Sequence, residues 1–75
     1  MWILDKDAVE EALAANKAQE VPPASQAQVA KKAGMTPQQM SSCMTRGRVT
    51  LDTAMRIATA LGLKVREIAT REERD

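Results

Sequence analysis

The residues best equipped for chemistry in this 75-residue chain are Gln38, Gln39, Ser42 and Thr45, followed by Arg46 and Arg48. On a helical wheel at ~100° per residue, Gln38, Ser42 and Thr45 share one side, with Ser41 and Arg46 at its edges. Met40, Cys43 and Met44 share the other side. A helix face that is merely solvated usually carries Lys and Glu. This face has no carboxylate, only amides and hydroxyls until Arg46. Such groups hydrogen-bond to base edges and phosphate oxygens, and a glutamine amide matches the N6 and N7 edge of adenine. Other chemistries lack their reagents. Histidine is absent and Cys43 is the only cysteine. That excludes Cys–His and Ser–His nucleophile pairs, histidine metal ligands and an internal disulfide. There is no Gly-rich phosphate loop. No catalytic residue, cofactor or metal site is expected, so the chain is not read as an enzyme.

The charge pattern frames this face. The net charge is only +1, but it is unevenly spread. Residues 25–66 hold Lys31, Lys32, Arg46, Arg48, Arg56, Lys64 and Arg66 against Asp52 alone. Residues 1–24 and 67–75 both carry an excess of Asp and Glu. A basic block between acidic ends is the footprint of a polyanionic partner, or else a solvated surface.

Capping signals place the elements that must hold the face. Thr36 caps its helix, Pro37 takes the first position and Gln39 completes a capping box, so Gln39 is read both as cap partner and as base contact. Before it, Ser25 and Gln28 form another box, and Val29, Ala30 and Ala33 give an inner face with Lys31 and Lys32 pointing away. Gly34 closes that helix in a left-handed conformation. About three residues then separate the two helices, the connection of a helix-turn-helix. A first helix is expected from about Asp5 to Lys17. Asp7 and Glu10 fit its capping box, Asp5 is a rival cap, and Val9, Ala12 and Leu13 form its stripe. Pro22 and Pro23 make the following segment a connector. Thr50 caps a fourth helix with Leu51, Ala54, Ile57, Ala58 and Leu61 inward, and Gly62 ends it. Val65 and Ile68 mark a short fifth helix, fraying through the terminal REERD.

Composition agrees. Apolar residues make up 44%, with Trp2 the single aromatic, so the core is Leu, Ile, Val, Met and Ala, which suits close-packed helices rather than sheet. Cys43 is expected to face this core as a small apolar residue. The fold class is therefore all-α: a compact bundle of four to five short helices containing a helix-turn-helix, as one domain over residues 1–75. The apolar tip Met1–Leu4 either packs back on the core or forms a strand that pairs with a second chain, with Trp2 as the anchor. It is too short for a signal-peptide core, and no apolar run approaches the ~20 residues of a membrane span. A soluble protein of the cytoplasm, associated with the nucleoid, is expected.

At this point the residues resemble a family. The stretch SQAQVAKKAGMTPQQMSSCMTRG, followed by TLDTAMRIATALGL, is similar to the DNA-binding domain of the phage lambda repressor and Cro type, the XRE-like family. The resemblance covers about Ser25 to Ile68. It implies a compact bundle of about five helices, acting as a homodimer on a near-palindromic double-stranded operator. It also implies that Gln26 bonds a phosphate and buttresses the reading helix, that Gln38, Gln39 and Ser42 read bases, and that Arg46 and Arg48 approach the backbone. The candidate set is then Gln38, Gln39, Ser42 and Thr45 for bases, and Gln26, Lys31, Thr36, Arg46 and Arg48 for phosphates. The reading this supports is a sequence-specific transcriptional regulator, a repressor, with its third helix in the major groove. The alternative is an antitoxin-type module that binds a partner protein through the tip or REERD and autoregulates through the same helix-turn-helix. Rival dimer surfaces are the Met1–Leu4 tip and the fifth helix.

Overall fold

A computed structural model describes residues 1–72. The elements are β1 (Trp2–Leu4), α1 (Lys6–Ala18), α2 (Gln26–Ala33), α3 (Pro37–Arg46), β2 (Arg48–Val49), α4 (Leu51–Leu61), α5 (Val65–Ile68) and β3 (Ala69–Arg71). The helical bundle holds with five helices, and a small three-stranded sheet is added to it.

The helix-turn-helix is built as its capping residues dictate. Ser25 Oγ accepts from the Gln28 N–H at 3.2 Å. The Gln28 amide reaches back one residue further than a capping box requires and accepts from the Ala24 N–H. At the other end of α2, Gly34 sits at φ +75°, a conformation that side-chain-bearing residues rarely adopt. There the Met35 N–H donates to Ala30 O at 2.8 Å and the Gly34 N–H to Lys31 O at 3.3 Å. These two bonds satisfy carbonyls that the helix end would leave open and turn the chain toward α3. Thr36 then caps α3 by a complete box. Its Oγ1 accepts from the Gln39 N–H at 3.1 Å, and the Gln39 Oε1 accepts from the Thr36 N–H at 2.9 Å.

Helices α2, α3 and α4 close around one core. Val29 and Ala30 from α2, Met40 from α3, and Ala54 and Ile57 from α4 are fully buried, with Val9 and Ile68 joining from α1 and α5. Burying each of the Val, Ile and Met side chains among them stabilises the fold by about 1.5–3 kcal/mol. Met40 and Met44 point inward as the wheel requires. Cys43 differs: it packs against the core from a half-buried position. At ~100° per residue it lies about 60° from Met40 and about 100° from Met44, at the edge of the buried stripe.

The sheet explains the N-terminal tip. Strand order is β2-β1-β3, all antiparallel, with Trp2 opposite Val49 and Arg71 and Leu4 opposite Ala69. The alternation puts Trp2, Leu4, Val49 and Ala69 on the core side and leaves Ile3, Arg48 and Thr70 outward. The tip is therefore a strand, but it lies at the centre of its own sheet, where neither edge is open to a second chain. This placement also decides the cap of α1. The chain must leave β1 extended, and Asp5, at φ −85° and ψ 100°, donates its N–H to Ile68 O at 2.7 Å. Asp5 consequently caps α1, its carboxylate accepting from the Ala8 N–H at 3.1 Å. Asp7 lies in the first turn, so the Asp7–Glu10 box does not form. The C-terminal end departs too. α5 is a single turn, and Ala69–Arg71 run extended as β3 instead of continuing the helix. Of REERD, Arg71 and Glu72 belong to this edge, while Glu73, Arg74 and Asp75 lie outside the described residues. No helix among the described residues is long and apolar enough to cross a membrane.

Candidate nucleic-acid interface

α3 is held at both ends. Its start is fixed by the Thr36–Gln39 box. Its end turns at Gly47, where the Gly47 N–H donates to Cys43 O at 2.9 Å and the Leu4 N–H donates to Gly47 O at 2.7 Å. The second bond ties the end of α3 to the central strand of the sheet. Lys6 Nζ reaches Thr45 O at 3.5 Å, placing a cation over carbonyls at the negative end of the α3 dipole.

Between these anchors α3 presents Gln38, Gln39, Ser41, Ser42, Thr45 and Arg46 to solvent. An open groove of about 550 Å³ runs along one flank of this face, between α3 and the start of α4. Thr36, Gln38, Gln39, Ser42 and Arg46 all line it. Thr45 is exposed but lies off the groove, on the flank that meets Lys6. The remaining candidates are spread more widely. Gln26, first in α2, is half-buried. Lys31 flanks a separate hollow made by Pro22, Pro23 and Gln28 beside the connector. Arg48 lies on β2, with its Nη2 2.8 Å from Glu72 Oε1 on the outer side of the sheet. Five of the nine candidates thus converge in one groove, and Gln26, Lys31, Thr45 and Arg48 lie outside it.

Residues 24–74 match the family model of the Cro/C1-type helix-turn-helix DNA-binding domain. The chain belongs to this family. Neither the curated proteins nor the solved structures give a match to it. The Cro/C1-type helix-turn-helix is a DNA-binding domain, in keeping with the XRE-like resemblance carried by Ser25–Ile68.

The wall of the groove opposite α3 carries residues that are not among the nine candidates. Asp52, Thr53 and Arg56 of α4 line it, with Arg56 Nε 3.0 Å from Asp52 Oδ2. The sequence signal for this pair was an acid and a base four residues apart on one helix. Lys6 had no such signal, because it meets α3 only through the folding of β1 beside Gly47. Cys43 also lines the groove. Burial pushes its thiol up from the ordinary range, and the Arg46 guanidinium pulls it partly back. At neutral pH the Cys43 thiol is therefore neutral, and among the described residues Asp52 is the one carboxylate lining the groove.

Proposed function

We propose that this Cro/C1-type domain is a sequence-specific, double-stranded-DNA-binding transcriptional regulator, a repressor, working as a homodimer in the cytoplasm at the nucleoid. The chain acts as one domain, and α3 enters the major groove. The observation that carries this reading is the carboxylate-free polar face of α3, whose amides and hydroxyls open beside Arg46. Gln38 reads an adenine through N6 and N7, a contact worth about 1–3 kcal/mol of discrimination. Gln39 spends its Oε1 on the Thr36 N–H, so it offers its Nε2 donors to base acceptors. Ser42 and Thr45 add hydroxyl contacts further along the helix. Gln26, Thr36, Lys31, Arg46 and Arg48 engage phosphates and set the register.

Two copies place two α3 helices on half-sites about 34–36 Å apart, or a multiple of that. The dimer surface then lies elsewhere than on the edges of β1, which are both paired. The test is a duplex-binding titration of the wild type and of Gln38→Ala. The expected result is salt-sensitive binding by both, with the substitution relaxing preference at one base pair per half-site. Equal preference for all duplexes by the wild type would refute sequence-specific reading.

A further inference from the structure

Arg56 is the one groove-lining cation that the reading above leaves without a task. It projects from α4, and its Nε is anchored 3.0 Å from Asp52 Oδ2. Its Nη1 lies over the turn between α2 and α3, 3.6 Å from the point where a Cβ on Gly34 would stand. The guanidinium thus stands over the α2–α3 turn, in the groove that Thr36 and Gln39 also line. Arg46 lines the same groove seven residues beyond Gln39, which is about 10 Å along the helix axis. Between these two ends lie hydroxyls and amides, and Asp52, the one lining carboxylate among the described residues, is already paired with Arg56.

We propose that Arg56 is a phosphate ligand, so that the α3–α4 groove grips the backbone of one DNA strand between Arg56 and Arg46. The inference rests on the DNA-reading function of α3. Its geometric basis is the spacing of the charges. Two guanidinium groups separated along a groove suit a repeating polyanion better than a compact anion. A DNA strand is a regular array of single charges, so two cations about 10 Å apart can each meet a different phosphate. Asp52 positions Arg56: by occupying Nε it turns the four N–H donors on Nη1 and Nη2 outward, and these match phosphate oxygens. Arg56 thereby joins the phosphate-gripping residues rather than the base-reading ones.

The test is duplex binding by the full chain over a series of salt concentrations, for wild type, Arg56→Ala, Arg56→Lys and Arg46→Ala. Each neutralised phosphate contributes a slope of about −0.9 in log K against log salt. Arg56→Ala is expected to make the slope shallower by about 0.9. A fourfold rise in salt then weakens the wild type about 3.5-fold more than the variant. Selected and random duplexes are expected to lose affinity by the same factor. Arg56→Lys keeps the slope because it keeps the charge, which separates the phosphate role from any effect on folding. If the wild type binds, Arg46→Ala shallows the slope and Arg56→Ala leaves it unchanged, the assignment of Arg56 is overturned while the reading of α3 stands. A change of base preference without a change of slope also overturns it. If the wild type shows no salt-dependent duplex binding, the reading of α3 fails first.

Discussion

Replacing Gln39 by Glu separates the two tasks assigned to this residue. In the fold, Gln39 Oε1 accepts from the Thr36 N–H at 2.9 Å while its own N–H donates to Thr36 Oγ1 at 3.1 Å. A glutamate carries an acceptor at the same position, so the capping box survives. The first turn of α3 holds no acid, so the new carboxylate meets the positive end of the helix dipole with no like charge within that turn, a gain of about 0.3–1 kcal/mol. For a domain of this size, 1 kcal/mol moves Tm by about 4–8 °C. Toward DNA the sign reverses. Gln39 lines the groove, where a carboxylate removes the Nε2 donors and meets phosphate charge. At ~4 Å that repulsion is about 1 kcal/mol in water and about 4 kcal/mol at the dielectric of a protein surface. Duplex affinity is then expected to fall by about 5-fold to 1,000-fold. Thermal denaturation followed by circular dichroism, paired with anisotropy titration on a fluorescent duplex, measures both. A drop in Tm of several degrees would refute the cap geometry, and an unchanged affinity would refute the place of Gln39 on the DNA-facing side.

Three further outcomes follow from other parts of the molecule. Met40→Ala empties a fully buried site and is expected to cost about 2–5 kcal/mol in urea denaturation, with a loss below about 1 kcal/mol showing that α3 is not seated through Met40. Glu72→Gln releases the exposed Arg48 from a half-buried carboxylate at a cost of about 1 kcal/mol, and duplex affinity is expected to rise because the Arg48 cation is freed. An affinity that stays level would place Arg48 off the DNA path. The Cys43 thiol, raised by burial, gives a sign to the alkaline limb. Above the unfolded thiol's pKa the unfolded chain has lost a proton that the folded chain keeps, so stability falls as pH rises toward the folded value. Cys43→Ala is expected to flatten that limb of a Tm-against-pH curve, and an equally steep limb in the variant would contradict the assignment.

The helix-turn-helix was legible in the sequence because its boundaries are written locally. Ser25, Thr36 and Thr50 each cap the helix that follows, and Gly34, Gly47 and Gly62 each take positive φ where a helix ends. Every such signal is made and satisfied within four or five residues. The sheet was not legible for the opposite reason. Strands of two or three residues carry no periodicity, and the pairings of Trp2 with Val49 and Arg71 join distant parts of the chain. The misplaced cap of α1 follows from the same blindness. Asp5 and Asp7 are both competent caps locally, and only the Asp5–Ile68 hydrogen bond, made by tertiary structure, favours Asp5. Within the groove, the α3 contribution followed from one helical wheel. The α4 contribution of Thr53 and Arg56 needed the packing of α2, α3 and α4, which brings Arg56 over Gly34.

Selection of bound sequences from a random duplex pool by the intact chain tests the central claim most directly, since it reports specificity, symmetry and spacing together. The expected result is an enriched near-palindrome with half-site centres 10–10.5 base pairs apart, or a multiple of that, and with an adenine whose enrichment disappears in Gln38→Ala. A pool that emerges unenriched, or one whose enriched sequence is unaltered by Gln38→Ala and Ser42→Ala alike, would contradict the reading of α3 as the helix that reads DNA.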